Sequence, residues 1–219
     1  MTAAPVAPRS FVRPAAERFA LAGPVGALEA IAETPVDFDG ARCAVVCHPH
    51  PLHGGTMANK VVTVAARALQ EAGMATMRFN FRGVGASGGS FDDGRGETDD
   101  GLAVADFARQ RWPGASLTVA GFSFGSFIAY QLASRRPVVR LITIAPPVKR
   151  FDFEAAPVPD VPWVVIQGDQ DELVDIAAVR AWTKGLARPP ELVVIEGAEH
   201  FFHGKLNELR GAVLANLGG

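Results

Sequence analysis

The chain has 219 residues, a formal net charge of −2, and 48% hydrophobic against 20% charged residues. This balance is typical of a globular chain with a substantial core, and we expect one domain over residues 1–219. The small net charge argues against nucleic acid or an anionic membrane surface as partners, and no run of about eighteen apolar residues predicts a membrane span.

The N-terminal segment, residues 1–15, contains several prolines and no continuous apolar stretch. We therefore expect a loosely ordered arm and no secretory signal. Two strand-like stretches follow, Arg18–Ala22 and Ala27–Thr34. Because only a short turn around Gly23 and Pro24 separates them, they predict an antiparallel hairpin.

From Cys43 onward, strands alternate with helices. The predicted strands are Cys43–His48, Ala75–Phe81, Leu117–Gly121, Arg140–Ala145, Pro162–Gln167 and Leu192–Glu196. The predicted helices are Met57–Ala72, Glu97–Gln110, Phe124–Arg135, Ile176–Leu186 and Asn207–Leu217. Alternation of this kind requires right-handed crossovers, and uninterrupted apolar strands indicate a sheet that is covered on both faces. The sequence predicts an α/β fold of about eight mostly parallel strands with helices on both faces.

The two cysteines, Cys43 and Cys47, lie on one predicted strand. Their Cα atoms would be roughly 13 Å apart, beyond the limit of roughly 7 Å for a disulfide. Two thiols that cannot pair fit a reducing compartment, so we expect a cytoplasmic protein. The sequence has neither a CxxC pair nor a histidine ladder, and we expect no metal site.

A glycine-rich segment follows the fourth predicted strand. Its Gly83-x-Gly85-x-x-Gly88 spacing matches the dinucleotide-binding fingerprint. In that fingerprint the helix opens within the motif, so that its amides meet the pyrophosphate. Here further glycines delay the helix to about Gly96, and the acidic residues around Glu97 would repel a phosphate. We predict a tight surface loop and no nucleotide cofactor.

The stretch Gly121-Phe122-Ser123-Phe124-Gly125 joins a strand directly to a helix. A turn this abrupt crowds the positions two before and two after its apex, where the two glycines remove the Cβ atoms. This G-x-S-x-G pattern predicts a nucleophile elbow, with the Ser123 hydroxyl exposed above the sheet and the Phe124 amide beside it. A helix N-cap role for Ser123 would leave the paired glycines unexplained. Phe122 is expected to pack in the core.

A serine nucleophile needs a base and a third group that orients the base. His200, after the last predicted strand, is the candidate base, and His203 is its rival. The acid should follow the preceding strand, where Asp169, Asp171 and Asp175 stand. Spacing alone does not separate Asp169 from Asp171. The order Ser–Asp–His along the chain is that of the α/β-hydrolases.

The chain resembles the serine α/β-hydrolases over nearly its whole length, and more narrowly the small hydrolases with an HPHPLxGGTMxNKVV signature. The matching stretches are HPHPLHGGTMANKVV at residues 48–62 and the FNFRGVG segment that begins at Phe79. The resemblance implies Asp171 as the acid, by a G-x-x-D-x-x-V pattern, and His200 as the base, by G-x-x-H-F. Related dienelactone hydrolases carry cysteine as nucleophile, where this chain has Ser123.

These residues predict acyl transfer to water by a carboxylesterase, with a small-molecule ester as partner and no cofactor. His200 takes the proton of Ser123 as the serine attacks, and Asp171 orients the imidazole. A peptidase, a thioesterase or a lactonase would use the same three residues. A binding protein on the same fold would be expected to have lost one of them.

Two backbone amides should stabilise the oxyanion. Phe124 supplies one, and the loop after the third strand supplies the other. Proline has no N–H, so the second donor is His50, Leu52 or His53, and alignment with the usual H-G-x turn selects His50. Only about fifteen residues join strands six and seven, too few for a lid, so we expect an open site without a cap. The predicted substrate-binding side chains are Leu52, His53, Phe91, Leu173 and Phe201.

Overall fold

The computed structural model describes residues 14–217, so most of the predicted N-terminal arm lies outside the described residues. The strands are β1 (Ala15–Gly23), β2 (Gly26–Thr34), β3 (Arg42–Cys47), β4 (Ala75–Phe79), β5 (Ser116–Phe122), β6 (Arg140–Ile144), β7 (Trp163–Gly168) and β8 (Glu191–Ile195). They form an eight-stranded sheet in the order β1-β2-β4-β3-β5-β6-β7-β8. β1 pairs antiparallel with β2, and β2 with β4, whereas every later pairing is parallel. The predicted mostly parallel sheet is confirmed.

Helices cover both faces of this sheet. They are α1 (Lys60–Glu71), α2 (Arg95–Arg111), α3 (Phe124–Arg135), α4 (Ile176–Gly185) and α5 (Leu206–Ala215). α1 and α5 pack on one face, where Val62 and Leu209 are buried in a common core. α2, α3 and α4 pack on the other, around residues such as Ile128 and Val179. Both faces of the parallel strands are therefore dry, which explains their uninterrupted apolar runs.

The first strand is longer than the sequence predicts. β1 begins at Ala15 rather than Arg18 and pairs with β2 along its whole length, from Ala15 against Thr34 to Gly23 against Gly26. Its first residues are exposed, so they carry no apolar signal. Backbone pairing with β2 extends the strand beyond the part that side-chain pattern marks.

The first helix starts three residues later than predicted, at Lys60 instead of Met57. The Asn59 side chain accepts hydrogen bonds from the amides of Val61 and Val62, at 2.9 and 3.5 Å. Asparagine at this position satisfies amides that have no partner inside the helix. The cap decides the boundary, since apolar spacing alone continues across it.

The second helix starts earlier than predicted, at Arg95 and not after Gly96. Gly94 has a φ of 86°, which turns the chain into the helix. The Glu97 carboxylate accepts from the amides of Asp92 and Gly94, at 3.0 and 2.8 Å. Glu97 thereby provides hydrogen-bond acceptors for backbone amides of the loop that precedes its own helix.

The connection between β6 and β7 carries no independent lid. Its one regular element is a short 3-10 helix at Phe153–Ala155, and a second 3-10 turn, Pro51–His53, follows β3. The expectation of a fold without a cap is confirmed. Within residues 14–217, none of the helices combines the length and apolar character needed to cross a bilayer.

Candidate active site

Ser123 stands at a strained turn between β5 and α3. Its φ of 53° and ψ of −121° are unusual for a residue with a side chain. A Cβ on Gly121 would lie 1.9 Å from the Gly125 carbonyl oxygen, and one on Gly125 would lie 2.3 Å from the Cys47 carbonyl oxygen. Only glycine fits at either position. The close packing holds the turn tight and brings the N-terminus of α3 against the end of β3.

Ser123, His200 and Asp171 form a hydrogen-bonded chain across three loops. His200 Nε2 is 3.1 Å from Ser123 Oγ, and His200 Nδ1 is 2.8 Å from Asp171 Oδ2. The His200 and Asp171 side chains are 3% and 0% exposed. The carboxylate can only accept from Nδ1, so the proton of a neutral ring sits there and Nε2 is free to accept the serine proton.

Asp171 is held by its own loop. Its Oδ1 accepts from the amides of Leu173 and Val174, at 2.9 and 2.7 Å. Burial opposes ionisation of this carboxyl, but the hydrogen bond and charge of His200 and the two amides hold its pKa below the ordinary value. Asp171 is therefore an anion that faces the imidazole at neutral pH.

The alternatives Asp169, Asp175 and His203 are not part of this hydrogen-bonded chain, and Asp175 pairs with Lys149 instead. Asp169 Oδ1 accepts from the Gly197 amide at 2.7 Å, which ties the end of β7 to the loop after β8. His203 is exposed and pairs with Glu199. Of the alternatives that the sequence leaves open, the structure brings Asp171 and His200 to Ser123.

The amides of Phe124 and His50 border the same site. Leu52 donates its N–H to His50 Nδ1 at 3.3 Å, and His53 donates to the His50 carbonyl at 3.1 Å. Within residues 14–217, neither the Phe124 nor the His50 N–H donates to another group of the protein. Of the three loop amides that the sequence allows, only that of His50 is therefore left for a ligand.

His48 fixes the peptide that carries the His50 amide. Its buried ring donates from Nδ1 to the Pro49 carbonyl at 2.6 Å and accepts at Nε2 from the Phe81 amide at 3.1 Å. Burial lowers the pKa of His48 to about 4, so the ring is neutral. In a trans peptide the C=O and N–H point in opposite directions. Holding the Pro49 oxygen therefore aims the His50 N–H the other way. The sequence did not predict these contacts of His48, because the Phe81 amide lies 33 residues further along the chain.

A cavity of about 260 Å³ opens beside Ser123. Of the predicted substrate-binding side chains, His53, Leu173 and Phe201 line it, as does His50. Leu52 and Phe91 do not. Leu52 is 68% exposed, because it sits at the tip of the 3-10 turn. Phe91 packs its ring against that of His50, with centroids 4.8 Å apart, and so supports the wall from behind.

One wall of this cavity was not predicted from the sequence. The connection between β6 and β7 supplies Pro147, Val148, Lys149, Arg150 and Phe151. The short length of this connection argues against a lid, but the sequence pattern does not show which path the segment takes. The Phe151 ring packs 5.2 Å from that of Phe124, and this contact places the segment over the site. Other lining residues that the sequence did not predict are Pro49, Gly54, Gly55, Asn59, Val174, Asp175 and Ala178.

The rim of the cavity is more positive than negative. Lys149 Nζ lies 3.1 Å from Asp175 Oδ2, while Arg150 has no acidic partner among the described residues. Burial, and then the charges of His53 and Arg150, lower the pKa of His50, against the smaller opposing charge of Asp93. His50 is therefore an uncharged ring at neutral pH, and among the described residues that line the cavity Arg150 is the charged side chain without an ion-pair partner.

Neither cysteine is placed for chemistry. Cys43 and Cys47 are buried free thiols, and burial raises the pKa of Cys43 to about 11 and that of Cys47 still further. Such thiols are poor nucleophiles. In the described part of the chain, no group of three or more His, Cys, Asp or Glu side chains is arranged to hold a metal ion.

A doubly wound sheet with a serine elbow defines an α/β serine hydrolase, and known proteins agree. A family model described as serine aminopeptidase S33 matches residues 43–153, just over half of the chain. The uncharacterized protein RP471 of Rickettsia prowazekii (strain Madrid E) is 40% identical over 205 residues, which cover 87% of this chain and 84% of that protein.

Two solved structures are similar throughout. An alpha-beta serine hydrolase homologue from Coxiella burnetii is 45% identical, with a TM-score of 0.90 over 95% of this chain and 100% of its own. XC6422 from Xanthomonas campestris, an α/β serine hydrolase without lid, is 44% identical, with a TM-score of 0.88 over 98% and 96%. The chain belongs to the α/β serine hydrolases of the serine aminopeptidase S33 family.

Proposed function

We propose that this protein is a carboxylesterase that cleaves small to medium apolar acyl esters through an acyl-enzyme intermediate. The observation that carries the proposal is the chain of hydrogen bonds from Ser123 through His200 to Asp171 at the edge of a cavity. The serine alone is a weak nucleophile, and the imidazole within hydrogen-bond distance is the base that it needs.

In the acylation step Ser123 Oγ attacks the ester carbonyl while His200 Nε2 takes the hydroxyl proton. The carbonyl π electrons move onto oxygen, and the amides of Phe124 and His50 stabilise that oxyanion, each by on the order of 3 kcal/mol in the barrier. The intermediate collapses as the alcohol leaves with the proton from Nε2. Asp171 stabilises the transient imidazolium without taking its proton.

Deacylation repeats the sequence with water. Nε2 takes a proton from water, the resulting hydroxide attacks the acyl carbon, and Ser123 leaves with the proton from His200. The products are a carboxylic acid and the free enzyme. The apolar parts of Val148, Phe151 and Leu173 at the cavity suit a short acyl chain, and no lid encloses a long one.

Aminopeptidase activity is the second candidate, because the matching family is described by that activity. An aminopeptidase must hold a free α-ammonium group, for which a carboxylate facing the substrate is needed. Among the described residues that line the cavity, Asp175 is the only carboxylate, and Lys149 already pairs with it. With Arg150 also unpaired at the rim, the charge of the site favours esters over substrates with a free amine.

The test combines active-site labelling with a matched substrate panel. We expect a fluorophosphonate probe to label the protein and Ser123→Ala to abolish labelling, with a melting temperature close to that of the unsubstituted protein. p-Nitrophenyl acetate and butyrate should be cleaved much faster than aminoacyl p-nitroanilides. Faster cleavage of the anilides would indicate an aminopeptidase. Neither labelling nor turnover would indicate a binding protein.

A further inference from the structure

Gln167, at the carboxyl end of β7, donates directly to the acid of the site. Its side chain is fully buried. Nε2 lies 2.9 Å from Asp171 Oδ2, 3.2 Å from the Val174 carbonyl oxygen and 3.3 Å from the Gly168 carbonyl oxygen. The amide therefore joins the strand, the acid and the far side of the acid's loop.

The oxygen that Gln167 contacts is the one that faces the base. Asp171 Oδ2 accepts from both Gln167 Nε2 and His200 Nδ1, while Oδ1 accepts from two backbone amides. With two donors on each oxygen, the carboxylate cannot rotate about Cβ–Cγ without breaking several hydrogen bonds. Gln167 is the one side chain besides His200 that the described structure places on Oδ2.

The orientation of the Gln167 amide is determined by its surroundings. All three neighbours of Nε2 are acceptors, whereas Oε1 has no hydrogen-bond partner among the described residues. Turning the amide over would set Oε1 against the Asp171 carboxylate and two carbonyl oxygens. A buried oxygen without a partner is unfavourable. The amide nevertheless keeps the orientation in which its N–H groups face Asp171.

We propose that Gln167 is a positioning residue for the hydrolysis, and this inference rests on the proposed function. It directs Oδ2 toward His200 Nδ1, and its N–H disperses the negative charge of the carboxylate. Dispersal weakens the attraction between Asp171 and a protonated His200. Gln167 thus sets both the geometry of the base and the pH range over which the base is unprotonated.

The test is Gln167→Met, which keeps the length of the side chain and removes the donor. Without that donor the charge on Oδ2 is concentrated, so protonation of the neighbouring imidazole becomes more favourable. The acid limb is the part of the pH profile in which kcat/KM falls toward low pH. For p-nitrophenyl acetate we expect this limb to move to higher pH by about half a unit. We also expect kcat to fall roughly tenfold. A residue that only fills space would not move the limb.

Gln70→Met is the matched control. Gln70 is also buried, and its Nε2 also donates to a carboxylate, Glu33 Oε2, at 3.1 Å, and to Thr76 Oγ1 at 2.7 Å. It belongs to α1 and has no part in the site. The control variant should be less stable, as expected when a buried amide is removed. The acid limb of its pH profile should be unchanged.

Other charged groups near the base stay the same in both variants. Glu172 Oε2 accepts from the His200 amide at 3.3 Å. The remaining titratable or charged side chains that line the cavity are His50, His53, Lys149, Arg150 and Asp175. A movement of the limb that occurs in Gln167→Met and not in Gln70→Met is thereby assigned to the lost donor.

An unmoved limb with kcat within twofold of the unsubstituted protein would overturn the inference. If Gln167→Met does not fold, Gln167→Glu keeps the shape. Its protonated form donates to Asp171 and its ionised form repels it, so kcat/KM should show an added loss toward high pH. A profile identical to that of the unsubstituted protein would contradict the inference. If the unsubstituted protein is neither labelled nor active, the proposed function fails and this inference with it.

Discussion

Two buried histidines, each in a loop that follows a strand of the sheet, show how similar rings serve different functions. His48, after β3, and His200, after β8, are 0% and 2% exposed. Each donates from Nδ1 and accepts at Nε2. The partners of His48 are a backbone carbonyl and a backbone amide, whereas those of His200 are the carboxylate of Asp171 and the hydroxyl of Ser123.

The difference decides which ring can take a proton. In the part of the chain that the structure describes, no carboxylate bonds to the His48 ring, and a protonated ring would face the Phe81 N–H at Nε2, so His48 stays neutral. In the proposed mechanism, Asp171 stabilises a protonated His200, which has received its proton from Ser123. The partners of both ring nitrogens, rather than burial, separate the structural histidine from the proposed base.

Removal of the base is the largest expected effect. His200→Gln leaves Ser123 without a proton acceptor, and kcat for p-nitrophenyl acetate should fall by roughly 10⁵-fold or more. His203→Gln removes the exposed histidine three residues on and should leave kcat within about twofold. Steady-state kinetics of both variants check this. Retained activity in His200→Gln would move the base elsewhere.

The next effect concerns the acid. Asp171→Asn should lower kcat by roughly 10⁴-fold. A neutral amide favours the wrong imidazole tautomer, and it does not stabilise the positive charge of the imidazolium. Asp169→Asn keeps an acceptor for the Gly197 amide and should cost only about 1 kcal/mol of unfolding free energy. Kinetics and denaturant unfolding of both variants decide it. The reverse outcome would mean that Asp169 is the acid.

Disturbing the other histidine should act through the oxyanion. His48→Asn keeps a donor for the Pro49 carbonyl, while His48→Leu has none. If the hydrogen bond aims the His50 amide, kcat should fall roughly tenfold in the first variant and roughly a hundredfold in the second. Equal kcat values in both variants would contradict this role.

The same ring predicts an acid-sensitive stability. Since the pKa of His48 is about 4 in the fold and 6.5 ordinarily, the unfolded chain binds a proton that the folded chain does not. Unfolding free energy should fall as the pH drops from about 6.5 to about 4, by on the order of 3 kcal/mol. Urea unfolding across this range checks it, and His48→Leu should lack this component. A constant difference between the two proteins at all pH values would contradict it.

The smallest effect compares two exposed leucines beside these loops. Leu52 and Leu173 are 68% and 65% exposed, but only Leu173 lines the cavity. Leu173→Ala should raise KM for p-nitrophenyl butyrate by a few-fold, with Leu52→Ala as the unaffected control.

In the unsubstituted protein, rates should decline from short to palmitoyl esters. Rates that rise steadily with chain length would contradict an open site.

The sequence determined the secondary-structure elements and the order along the chain of the candidate active-site groups. Apolar runs identified the buried strands because burial on both faces leaves no polar alternation. The elbow at Ser123 was readable to the residue, since a Cβ on Gly121 would meet Gly125 only four positions on, although the contact that demands glycine at 125 is with Cys47 of β3. The start of α1 was not, because a cap at Asn59 acts through hydrogen bonds rather than apolar spacing.

Only the tertiary structure decided which residues meet. Asp169 and Asp171 follow the same strand, and the path of the loop sets one against the Gly197 amide and the other against His200. The role of His48 depends on the Phe81 amide, 33 residues away along the chain. The wall around Phe151 depends on packing against Phe124. Such contacts join distant positions in the chain, and local spacing carries no information about the distances between them.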